Sequence, residues 1–151
     1  MKSEKVYYRK WMRVGVFMRN DVILNKISVI ERCNKRILDV YQQNPQNLLD
    51  YTKQDSIILN IQRACEACID LAMHIVAEER LGLPQTSREA FDMLESQSII
   101  TSEIAYRMKA MVGFRNIAVH DYQAINQDIL QQILEKHLSD FTTYTKQILD
   151  Y

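Results

Sequence analysis

Lys53 to Pro84 reads KQDSIILNIQRACEACIDLAMHIVAEERLGLP. Ile58, Ile61, Cys65, Cys68, Ile69, Ala72, Ile75 and Val76 recur along it mostly at steps of three and four residues. That is the period of one face of an α-helix, not the two-residue alternation of a strand. Thr52 stands where a cap would open the helix. Gly82 sits where a helix-ending glycine belongs, and Pro84 follows shortly after. A helix is therefore predicted from about Lys53 to Leu81. Its apolar face would be buried, and the residues off that face would meet solvent.

The flanking sequence repeats this behaviour. Upstream, Ile23, Ile27, Ile30, Ile37 and Tyr41 form one stripe, with Asn20 or Asp21 as the expected cap and Asn44-Pro45-Gln46-Asn47 as the stop. Downstream, Thr86 and Glu89 have capping-box spacing and open a short helix through Phe91 and Leu94 to about Ser96. Thr101 or Ser102 starts another, with Ile104, Met108, Met111 and Val112 inward. The last runs from about Gln127 to Leu149 and buries Ile129, Ile133, Leu134, Leu138, Phe141, Tyr144 and Ile148. Five helices, four long or medium and one short, predict an all-α bundle.

Composition agrees. The chain has 151 residues, enough for one domain that buries roughly two-thirds of its unfolded surface. It holds three glycines and two prolines, too few for a sandwich or barrel built on turns. Nineteen Lys and Arg balance nineteen Asp and Glu, which argues against a surface coated wholesale in nucleic acid and is compatible with self-association. Three cysteines, Cys33, Cys65 and Cys68, have no framework spacing and suggest a reducing cytoplasm. Cys65-x-x-Cys68 lies on a helix and reads as core. No apolar run approaches the ~18 residues of a membrane span, and no secretory leader is expected.

Residues 1–17 differ from the rest. Lys2, Lys5, Arg9, Lys10 and Arg13 oppose Glu4, with Tyr7, Tyr8, Trp11 and Phe17 interleaved. Two readings are open: an arm that touches phosphate and stacks on bases, or a disordered tail or early start codon, with Met18 as the true start. The domain proper is then 18–151.

Polar chemistry concentrates in Gly113-Phe114-Arg115-Asn116-Ile117-Ala118-Val119-His120-Asp121-Tyr122. On one continuous helix Arg115 and Tyr122 share a face to within about 20°, while His120 stands about 140° from Arg115. A helix that stops near Ala118 and continues as extended chain would aim His120 and Tyr122 the same way. A helix end that turns all three groups toward one cleft is therefore expected. Arg115 can grip a phosphate with two donors. His120 can take a proton from a hydroxyl or give one to a leaving oxygen. Tyr122 can donate a hydrogen bond or accept a transferred group, and Asp121 can orient a neighbour. The set suits metal-free cleavage of RNA by the ribose 2′-hydroxyl. Spacing alone leaves open a loop arginine and histidine satisfied by carboxylates. Arg63, Glu66 and Asp70 recur at three- and four-residue steps, either as surface ion pairs or as a stripe that lines the cleft. No Gly-rich phosphate loop, GxSxG or HExxH pattern occurs, which argues against kinases, serine hydrolases of that type and zinc proteases.

Arg115-x4-His120-x-Tyr122 resembles the signature of HEPN-domain proteins. The wider string Gly-Phe-Arg-Asn-x-x-Val-His-Asp-Tyr is similar to the HepT-like toxins of bacterial HepT/MntA toxin–antitoxin pairs. The likeness extends to Arg63, Glu66, Asp70 and His74 and to the Gly82-Leu83-Pro84 turn, and covers about residues 18–150. It implies a cytoplasmic, homodimeric endoribonuclease that acts on tRNA or mRNA and needs no metal or cofactor. Arg115 and His120 would be catalytic, with Asn116, Asp121, Arg63, Glu66 and Asp70 supporting the cleft. Tyr122 would be adenylylated by an MntA-like minimal nucleotidyltransferase antitoxin. The alternative is a non-catalytic HEPN binding module that docks a nucleotidyltransferase or its substrate.

Overall fold

The computed structural model describes residues 17–151; the basic extension lies outside the described residues up to Val16. Helix α1 spans Phe17–Tyr41, and a 3-10 turn over Pro45–Leu49 leads to α2, Tyr51–Glu78. Helices α3 (Ser87–Ser96) and α4 (Ser102–His120) follow, then a 3-10 turn over Tyr122–Ala124. The final run is α5 (Gln127–Gln132), a π-helical turn (Ile133–His137) and α6 (Leu138–Asp150), without a break. The predicted all-α bundle is thus the observed one, its fifth helix made of three consecutive pieces.

The ends of the helices show where local rules held. Thr86 Oγ1 accepts from Glu89 N at 3.1 Å, and the Glu89 carboxylate accepts from Gln85 N at 3.0 Å, one residue earlier than an ideal box. Thr101 caps α4 as expected. Three ends differ from expectation. Helix α1 already runs from Phe17, so Asn20 and Asp21 lie inside it. Helix α2 is capped by Asp50, whose carboxylate accepts from Thr52 N and Lys53 N, and not by Thr52. It closes with Arg80 at φ 53, Arg80 N donating to Ala77 O and Leu81 N to Val76 O. That is the six-to-one and five-to-two pattern of a glycine stop, built here on arginine. Gly82 lies two residues further on, at φ 139, where a side chain would be strained.

Helix α2 is the axis of the core. Ile57, Ile61, Ala64, Leu71 and Ala72 are completely buried. The Tyr144 hydroxyl of α6 donates to the Cys68 carbonyl at 3.0 Å, and its ring meets Phe91 of α3 edge-on at 5.7 Å. These contacts lock α2, α3 and α6 together with no buried polar end left over. Cys33, Cys65 and Cys68 are free and buried, and burial pushes their thiols up, so they behave as small apolar residues. One predicted core residue is misplaced: Ile129 is 51% exposed, and Leu130 is buried instead. A π-turn takes more residues per turn. Leu130, Leu134 and Leu138 therefore step in fours along the stripe, and Ile129 falls beside it. Among the described residues no helix is long and apolar enough to cross a membrane.

Candidate functional site

Two side chains of the motif are anchored on α2. Glu66 Oε1 lies 3.4 Å from Arg115 Nε and also accepts from Gln62 at 3.1 Å. Arg115 Nη1 donates to Asn116 Oδ1 at 3.2 Å. Arg115 Nε is buried, yet its N–H is not aimed well enough at Glu66 to form a hydrogen bond. A guanidinium carries five donors. Here one carboxylate holds it by charge and one amide by a single bond, so the fork keeps donors for an anion.

Eleven residues earlier on α2, Asp55 accepts the Tyr122 hydroxyl. Burial, and then the hydrogen bond and charge of Asp55, push the Tyr122 phenol up to about 12. Asp55 and Glu66 share a face of α2 to within about 20°, some 16 Å apart along the axis. Arg115 of α4 and Tyr122 of the turn after it are therefore both held against one face of α2. Asp55 was invisible to sequence reasoning. It lies outside the motif, and the 67 residues separating it from Tyr122 carry no local signal.

The expected geometry of the helix end is corrected. Helix α4 does not stop near Ala118 but continues to His120, and Tyr122 enters a 3-10 turn instead of an extended segment. His120 consequently keeps its helical direction, about 140° around from Arg115. It is exposed and makes no hydrogen bond or ion pair among the described residues. Arg115, His120 and Tyr122 are not bonded to one another. Asp121 caps α4 through its backbone, its N–H donating to Ile117 O at 2.8 Å, and its carboxylate faces solvent. Of the supporting stripe, Glu66 reaches Arg115, whereas Asp70 pairs with Lys26 of α1 at 3.0 Å. Arg63 is exposed and makes no hydrogen bond or ion pair among the described residues. There, too, no three His, Cys, Asp or Glu side chains gather as metal ligands.

An all-α bundle with Arg115 and His120 on its fourth helix and Tyr122 in the turn that follows is a bundle of the HEPN type. The ribonuclease HepT-like family model matches residues 30–148, and the chain belongs to that family. It is 51% identical over 125 residues to mRNA nuclease HepT of Shewanella oneidensis, covering 83% of this chain and 94% of that one. It is 31% identical over 91 residues to tRNA nuclease HepT of Aphanizomenon flos-aquae, covering 60% and 62%. A solved structure of tri-AMPylated Shewanella oneidensis HEPN toxin in complex with MNT antitoxin superposes with a TM-score of 0.83 at 49% identity, over 87% of this chain and 98% of that one.

Proposed function

We propose that residues 18–151 form the toxin of a toxin–antitoxin pair, a cytoplasmic endoribonuclease that cuts RNA without a metal and is silenced by adenylylation of Tyr122. In the cut, the ribose 2′-oxygen bonds to the adjacent phosphorus and the bond to the 5′-oxygen breaks. Arg115 binds the phosphate and steadies its growing charge, and His120 moves the proton. Asn116 and Glu66 hold Arg115, and Asp121, next to His120 in sequence, would orient it once substrate is bound. Arg63 and Asp70 extend the polar flank of α2. The relatives named above act on mRNA and on tRNA. Single-stranded stretches of either fit a site with exposed reacting groups.

The observation that carries this reading is the under-satisfied Arg115 guanidinium, on the same last stretch of α4 as an exposed His120 that faces another way. Because His120 points away from Arg115 on its own helix, the site is proposed to be completed by a second copy. The exposed line Tyr106, Ala110, Ile117 and His120 along α4 is the surface on which two copies would meet. The silencing partner is a minimal nucleotidyltransferase of the MntA kind. An adenylate on Tyr122 adds negative charge and bulk to a site that must admit RNA.

Purified protein, RNA and EDTA test the activity, and His120→Ala tests the assignment. Cleavage leaving a 2′,3′-cyclic phosphate is expected for the parent. His120→Ala should lose roughly 10²- to 10⁴-fold in rate with its fold intact. RNA binding without cleavage by the parent would favour a binding module. Unchanged cleavage by His120→Ala would remove the histidine from the mechanism.

A further inference from the structure

If Tyr122 is the residue modified, its proton needs a destination. A phenol that attacks the α-phosphorus of a nucleoside triphosphate must give that proton up, and Tyr122 holds it more tightly than an ordinary tyrosine does. With the phenol pushed up to about 12, free phenolate is roughly one molecule in 10⁵ at pH 7. The transfer therefore calls for a base that acts as the phosphorus is attacked.

We propose that Asp55 is that base: the carboxylate that already accepts the Tyr122 hydroxyl takes its proton as Oη closes on the α-phosphorus. The inference rests on the reading of Tyr122 as the adenylylation site. The Oη–Pα bond forms, the bond from Pα to the bridging oxygen breaks, and pyrophosphate leaves with that electron pair. The proton passes to Asp55 and on to water, since Asp55 is exposed. ATP is the co-reactant and the partner nucleotidyltransferase delivers it.

The neighbouring carboxylates are poorer candidates. Glu66 is engaged by Arg115 and Gln62 and sits some 16 Å away along α2. Asp121 adjoins Tyr122 in sequence, but its side chain does not bond to the phenol. Asp55 makes no ion pair with a cation among the described residues, so its lone pairs are free to take the proton. Position matters as well as chemistry. Asp55 sits on a regular helix, which holds the base in hydrogen-bond reach before the partner arrives. After transfer the phenolic oxygen has no proton to donate. The new phosphodiester and the carboxylate are both anionic, so the modified side chain leaves Asp55.

The full chain, its nucleotidyltransferase, ATP and Mg²⁺ supply the test, with the first adenylyl transfer followed by intact mass. Asp55→Asn can still accept the hydroxyl through its amide oxygen but cannot take the proton. It should be modified about 100-fold more slowly. Its residual rate should climb with pH, because solvent must then remove the proton. Asp55→Glu, which keeps the base, should recover much of the rate, and it keeps the test decisive if Asp55→Asn folds poorly. Asp55→Asn modified as fast as the parent, or slowed without a change of pH profile, overturns the role of Asp55 and leaves Tyr122 in place. A parent that takes up no adenylate, or a Tyr122→Phe variant modified like the parent, brings down the reading of Tyr122 and the inference with it.

Discussion

The two faces of α2 are made of the same helix and obey different rules. The inward face is a continuous apolar surface, with Ile57, Ile61, Ala64, Leu71 and Ala72 completely out of water. The outward face carries Asp55, Gln62, Glu66 and Asp70, and three of its carboxylates hold partners from other helices or turns: Tyr122, Arg115 and Lys26. Burial of the first face gives the fold its free energy, at roughly 25 cal/mol per Å² of apolar surface. The second face contributes little stability, because exposed ion pairs are typically worth ~0–1 kcal/mol. It fixes instead where an arginine and a phenol stand. Stability and function are thus separated by about half a turn of one helix.

A cut into the inward face gives the largest expected effect. Leu71→Ala removes a side chain with no exposure and no polar role, and should cost about 2–5 kcal/mol in urea unfolding. Below its unfolding transition the variant should still cut RNA at the parental rate. Lost cleavage in protein that remains folded would show that the two faces are coupled.

The outward face responds through protonation. Tyr122 and the buried Tyr41, which donates to Glu135 at 2.9 Å, are both pushed up to about 12. A phenol whose folded pKa is raised contributes stability below its unfolded pKa of about 10 and loses it as the pH climbs through the folded value. Asp55→Asn removes the charge that opposes phenolate. One tyrosine should then titrate earlier, nearer the ordinary range, with the Tyr41 transition unmoved. Ultraviolet titration of phenolate reads this directly, and an unchanged late titration for Tyr122 would mean that burial alone sets it.

The smallest effect belongs to the Lys26–Asp70 pair. Its two side chains are 32% and 55% exposed, so Asp70→Asn should change stability by no more than about 1 kcal/mol and disappear into the error at high salt. A loss of several kcal/mol would make this pair a structural clamp between α1 and α2.

Much of the fold was legible because helices are local objects. Successive members of the stripe from Ile58 to Val76, the Thr86–Glu89 box and the Thr101 cap each rest on residues about a turn apart, and all three are found in the structure. Local reading failed where the chain used an unusual residue for a usual job. With three glycines available, α2 ends on Arg80 at φ 53 and α3 on Ser98 at φ 56, positions no composition rule marks. Ile129 was misread because a five-residue π-turn changes the period midway along a helix.

The sequence by itself determined which segments coil and which stripes leave water, since both follow from steps of three and four along a single strand of chain, and it showed the Arg115–His120–Tyr122 motif within eight consecutive residues. The tertiary structure alone decided that Asp55 receives the Tyr122 hydroxyl, that Glu66 and not Asp70 attends Arg115, and that α4 stays coiled as far as His120. Those outcomes depend on the register and approach of packed helices. That register is set by side-chain volumes summed over the whole core, a quantity no short window of residues contains.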